Sequence, residues 1–146
     1  MQLGELATNR ELCERLEQLG FPQNSSLACW VYVEDGPWVL VYRDRINYLE
    51  KQLKAKIVKI IAAPLEGELL DRIPFSIIVD VYGDKTSLMF HFVKMATNFY
   101  CASYVNATNY NDLYFLFKSK RPANALTRAT IWLIENGHVK FDSEVE

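Results

Sequence analysis

Two amphipathic segments bracket this chain, and the stretch between them is rich in β-branched and aromatic residues, so a fold that buries both helices must lay them on the strands they enclose. In the first segment Thr8 precedes Glu11 by the spacing of a capping box, and Leu12, Leu16 and Leu19 then share one face before Gly20. This spacing predicts a helix over residues 9–19. In the second segment Pro122 occupies a first turn, Leu126, Ala129 and Leu133 share a face, and Gly137 follows as a stop. The expected architecture is α+β: a mainly antiparallel sheet of about five to six strands, with the N-terminal and C-terminal helices packed on the same face of it.

The strands are read from period-two alternation. Leu27, Cys29, Val31 and Val33 alternate with Ala28, Trp30 and Tyr32, and Glu34-Asp35-Gly36-Pro37 turns the chain into residues 38–42, a first hairpin. Ile46, Leu49, Leu53 and Ile57 have helical spacing, and a β-compatible run follows through Ala62. Pro64 ends that strand, and residues 66–72 fit a two-turn helix ahead of Ile73-Pro74. A second hairpin runs from Phe75 to Phe92. A two-residue Gly83-Asp84 loop sets Tyr82 opposite Lys85 and pairs Val81 with Thr86, Val79 with Leu88, Ile77 with Phe90 and Phe75 with Phe92. Residues 99–105 add a further strand. No repeat or linker divides the sequence, and 146 residues, half of them apolar, suit a single domain over 1–146 that buries roughly two-thirds of its unfolded surface.

The net charge of −2 conceals two opposed segments. Residues 1–35 hold six carboxylates against Arg10 and Arg15, whereas residues 43–59 hold Arg43, Arg45, Lys51, Lys54, Lys56 and Lys59 against Asp44 and Glu50. Such a basic strip attracts phosphate or an acidic partner even on an acidic chain. The competing reading is a solvated helix face with an ordinary Glu50–Lys54 pair. Cys13, Cys29 and Cys101 are odd in number and widely spaced, as befits free thiols in a reducing compartment. Glu5, Arg10, Glu11 and Glu14 interrupt the region where a signal peptide needs an apolar core, and no apolar run is long enough to span a bilayer. A soluble cytoplasmic protein with no membrane partner is expected.

Motifs of catalysis are missing. His91 and His138 are far apart, and neither Cys-x-x-Cys nor His-Glu-x-x-His occurs, so no metal and no cofactor is expected. His91 meeting Cys101 across a strand pair would be a nucleophile and base, but the strand faces do not fix that geometry, and a half-buried strand histidine is the reading adopted. Asp80 and Asp84 flank a turn, and Glu66 and Glu68 sit at a helix start, where the backbone dipole favours them. The six glycines form no phosphate loop. The chain is therefore expected not to be an enzyme. Aromatics remain: Trp30, Tyr32, Tyr100 and Tyr104 occupy strand positions opposite the more uniformly apolar set. If helices cover one sheet face only, these four form an exposed surface suited to protein recognition or to stacking on unpaired bases; the alternative is that a helix covers them. Together with Lys51, Lys54, Lys56 and Lys59 they are the candidate partner-binding residues.

Three blocks carry a resemblance. The first comprises Glu11-Leu12, Leu16, Leu19-Gly20-Phe21-Pro22-Gln23 and Ser25. The second is Ala63-Pro64-Leu65-Glu66-Gly67-Glu68-Leu69-Leu70 with Ile73-Pro74, and the third is Pro122-Ala123-Asn124-Ala125-Leu126 with Ile131-Trp132-Leu133 and Glu135-Asn136-Gly137. In order and spacing these resemble a family of small uncharacterised proteins of bacteriophages and prophage regions. The sequence departs from that pattern at Arg121, where a capping Asn or Asp would precede the proline, and in its longer basic segment. The resemblance implies a phage or prophage accessory protein acting in the cytoplasm of a bacterial host cell. The leading expectation is a non-catalytic protein that binds a bacterial host protein, as an inhibitor of a host defence such as a CRISPR nuclease would. The alternatives are a nucleic-acid-binding accessory protein of phage replication or recombination, and an enzyme of an unfamiliar kind.

Overall fold

The strand-forming sequence divides between two antiparallel sheets instead of one. The computed structural model describes residues 2–54, 56–95, 98–108 and 113–141. Helices α1 (Leu3–Leu6) and α2 (Arg10–Gln18) lead into β1 (Ala28–Val33) and β2 (Trp38–Tyr42). A 3-10 turn (Arg43–Arg45) and α3 (Ile46–Leu53) then precede β3 (Ile57–Ala62), and α4 (Glu66–Leu70) connects to β4 (Ser76–Val81), β5 (Asp84–Lys94), β6 (Tyr100–Asn106), β7 (Leu113–Ser119) and α5 (Pro122–Glu135). The first sheet has the order β2-β1-β3, and the second is a meander, β4-β5-β6-β7. The seventh strand, β7, and the short α1 were not foreseen. The α+β class holds, but the single sheet does not, because Pro64, α4 and Pro74 turn the chain away after β3, so β4 starts a new ladder.

Side-chain parity assigns each face. On β1, Cys29, Val31 and Val33 meet Ile46 and Leu49 of α3, while Ala28 and Trp30 meet Ala7, Cys13 and Leu3 on the opposite side. Helices thus cover both faces of the first sheet. The second sheet directs Ile77, Leu88, Ala102 and Tyr104 into the main core, where Leu126, Ala129 and Leu133 of α5, Leu69 of α4, and Leu16 and Phe21 close over them. The two terminal helices were expected side by side on one sheet; α5 instead lies on the meander, and α2 bridges from α5 to β3. The Lys59 ammonium of β3 reaches the Glu17 carboxylate of α2 at 2.9 Å.

Two local details also differ from expectation. Asn9, not Thr8, caps α2, its side chain accepting the Leu12 N–H at 3.0 Å. Thr8 is buried, and its hydroxyl donates to the Pro64 carbonyl at 2.9 Å and lies 2.8 Å from the Thr127 hydroxyl. The β4–β5 hairpin turns on Tyr82-Gly83, with Val81 opposite Asp84 and Ile77 opposite Leu88, a two-residue slide from the expected register. A slide of two keeps every side chain on its own face. Tyr82 and Gly83 have φ of 51° and 86°, both left-handed, as a type I′ turn requires, and the Asp80 side chain accepts the Gly83 N–H at 2.8 Å. Trading Gly83-Asp84 for Tyr82-Gly83 gains that bond at the expense of a tyrosine at positive φ.

Candidate functional site

The four aromatic candidates do not share a surface. Trp30 and Tyr32 belong to β1 of the first sheet, and Tyr100 and Tyr104 to β6 of the second. Trp30 packs beside Ala7 and Cys13 and donates its indole N–H to the Thr8 carbonyl at 2.9 Å. The Tyr32 ring rests 5.1 Å from that of Trp38. Tyr100 stacks on Phe92 at 6.0 Å, with the Lys94 ammonium 5.8 Å from its ring. Tyr104 is fully buried, its hydroxyl donating to the Pro74 carbonyl at 2.7 Å and its ring 5.4 Å from Phe90. It is a core residue. Burial raises its phenol above the usual range.

The basic strip is likewise divided. Arg43 donates from Nε to the Ser26 carbonyl at 2.8 Å and from its guanidinium to the Gln23 carbonyl, so it clamps the loop ahead of β1. Lys59 is held by Glu17, while Lys51, Lys54 and Lys56 at the end of α3 are exposed.

Groups with catalytic potential are scattered. Burial is the main cause that pushes the Cys13 thiol far above its ordinary range, with Glu14 and Cys29 adding to it. Cys29 is also raised, first by burial, with Arg43 opposing and Glu68 adding. A thiol held protonated is a poor nucleophile. On β5 and β6, His91 stands opposite Ser103 and Cys101 opposite Val93, so His91 and Cys101 are diagonal neighbours on one face. Among the described residues no three His, Cys, Asp or Glu side chains are grouped to hold a metal ion, and no helix is long and apolar enough to cross a membrane.

What stands out is the outer face of the second sheet. Its rows run Val93–Cys101–Lys118, His91–Ser103–Leu116, Ser76–Met89–Val105 and Ile78–Ser87 across the ladder. None of these residues joins a core cluster, and the described helices pack elsewhere. Ile78 is 64% exposed, Val93 47% and Leu116 41%, whereas their neighbours Cys101, Ser103 and Val105 are buried between them. Met95 and Phe99 close the far end, joined by a Met95 N–H to Phe99 carbonyl bond of 2.6 Å. With Cys101 and Lys118 they line a hollow of about 290 Å³. Large exposed aliphatic side chains on a sheet face that no described helix covers are candidates for contact with a partner. Sequence reasoning named the opposite side of β6 because its aromatics looked like a surface. In fact the large rings fill the space beneath α5, and small residues face outward on the central strand. The alternation Phe115–Leu116–Phe117–Lys118 was the available signal for β7.

Fold and face together define an α+β protein of two antiparallel sheets, the larger covered by helices on one side and, among the described residues, by none on the other. Comparison with protein-family models, with curated proteins and with solved structures gives no match.

Proposed function

We propose that the chain is a non-catalytic binding protein that recognises another protein through the outer face of the β4–β7 sheet. The observation that carries this reading is the exposure of Ile78, Val93 and Leu116 in one ladder-connected surface, since burying such a surface against a partner is the usual release for it. Its aliphatic chemistry favours protein over bases, which need exposed rings to stack on. The resemblance to phage and prophage proteins extends the proposal to a bacterial host protein in the cytoplasm, with inhibition of a host defence as the outcome. Capture from bacterial lysate with the parent protein and with Leu116→Glu tests it: a partner held by the parent and released by the variant is expected. Recovery of no reproducible partner, or of one indifferent to the variant, contradicts it.

A second reading, nucleic-acid binding, draws on exposed Lys51, Lys54 and Lys56. It requires single-strand binding that weakens steeply with salt and is lost when the three are replaced by Gln. Binding absent even at low salt removes it.

A further inference from the structure

The outer face is not electrically uniform. Asp80 pairs across the ladder with Lys85 at the turn end. Beyond Lys85, the outward-facing described residues of β5, β6 and β7 include Lys118, and Lys120 follows, without one carboxylate among them, whereas Lys94 points to the helical side with its ammonium over Tyr100. Lys118 lines the hollow with Met95, Phe99 and Cys101, and the Lys120 ammonium stands 5.9 Å from the Phe99 ring. Glu5 and Glu66 approach Lys120 and Arg121 at a separate cleft with Tyr100 and Pro122, towards the helical side. An otherwise acidic chain, of net charge −2, therefore sets two lysines, Lys118 and Lys120, beside an apolar hollow at one end of this sheet face.

We propose that this end receives an acidic segment of the protein partner that carries large apolar side chains. The inference rests on the reading of the outer face as a protein-binding surface and adds the chemistry of what it binds. Apolar side chains of the segment fill the hollow against Met95 and Phe99, and its carboxylates lie over Lys118 and Lys120. Charge of opposite sign at the rim steers encounter and sets register, while desolvated aliphatic contacts hold the complex. A nucleic-acid strand also carries negative charge, but Phe99 is the one aromatic ring among the described outer-face residues at this end, which gives a strand of bases little to stack on.

The test is selection of random displayed peptides on the whole protein, followed by affinity measurement of the enriched peptides and mapping of their amide shifts. Enrichment of peptides combining Asp or Glu with Leu, Phe or Ile is expected, with shifts centred on Val93, Met95, Phe99 and Lys118. Lys118→Glu with Lys120→Glu should weaken them by about tenfold or more, and the Gln pair by less, as charge reversal adds repulsion to lost attraction. Both lysines lie on the surface, so melting of the variants should match the parent. Peptides that map here but lack acidic residues and ignore the charge reversal overturn the inference while leaving the protein-binding reading intact. Failure to enrich any peptide that maps to this face overturns both. Oligothymidylate binding here in place of peptides, or dimerisation of the protein through this face, also overturns the proposal.

Discussion

The hydroxyls of Thr8 and Thr127, 119 positions apart in sequence, lie 2.8 Å from one another in the interior. The Thr8 hydroxyl has one proton and gives it to the Pro64 carbonyl at 2.9 Å, so Thr127 donates to Thr8. Beside them the Asn124 side chain accepts the Asn9 N–H at 2.9 Å, and the Thr8 carbonyl accepts from Trp30 and from the Cys13 thiol. Entry to α2, the connection after β3 and the first turns of α5 are thereby fixed to one another through polar groups sealed from water.

Thr8→Val removes both hydroxyl bonds at once and leaves the buried Thr127 hydroxyl without its acceptor, while the Pro64 carbonyl keeps the Thr8 N–H at 3.1 Å, so a loss of about 1–3 kcal/mol is expected in urea unfolding. Thr127→Val keeps the Thr8–Pro64 bond and should cost less, about 1 kcal/mol. Equal losses, or a larger one at Thr127, would contradict this order of donors.

Leu16 and Leu133 are both fully buried in the main core, where α2 meets α5 and α5 meets the second sheet. Replacement of either by Ala should cost ~2–5 kcal/mol, read from denaturant midpoints. A variant that melts like the parent would show that its helix is peripheral.

The Tyr82-Gly83 turn makes a prediction of opposite sign at its two positions. Gly83→Val should destabilise by ~1 kcal/mol or more, because φ of 86° strains any branched side chain. Tyr82→Asn should raise the melting temperature, since Tyr82 is fully exposed and Asn tolerates its φ of 51° and leads Gly in type I′ turns. A drop in melting temperature for Tyr82→Asn would mean that the tyrosine has contacts that outweigh its backbone cost.

Burial raises the Tyr104 phenol above its ordinary value of 10.0, so the folded state holds that proton more tightly than the unfolded chain does. The associated stability is fully present below pH 10 and is lost as pH rises towards the folded value. Tyr104→Phe should lower stability at neutral pH by ~1 kcal/mol through the lost bond to Pro74, and should flatten the alkaline decline. An alkaline limb of unchanged slope in the variant would remove Tyr104 as its source.

Much of the fold was legible because short-range signals survive context. Both long helices, the first hairpin, the strand ending at Ala62 and the short helix after Pro64 follow from prolines, glycine stops and periodicity. Long-range choices were not legible. Whether β3 would pair with β1 or join the later strands depends on contacts far apart in sequence, and the sliding register of β4 against β5 turns on an Asp80 side-chain bond that alternation alone cannot see. The candidate surface was missed for a related reason. Aromatics on β6 looked like an exposed patch, yet a sheet covered on one side buries its bulkiest residues beneath the helix. Lys118 went unnoticed because no strand was read after Val105, although the sequence Asn109-Tyr110-Asn111-Asp112 ahead of Leu113 is rich in turn-forming residue types.

Methionine oxidation gives the most direct test of the outer sheet face as the binding surface. Met95 is 48% exposed beside the hollow, and Met89 is partly exposed on the same face. Dilute peroxide should oxidise Met95 faster than Met89 in the free protein, since thioether reactivity follows access. With the captured partner bound, Met95 sulfoxide should form several-fold more slowly, and Met89 should be protected with it. Unchanged oxidation of both methionines in a fully formed complex would place the partner elsewhere and contradict the account.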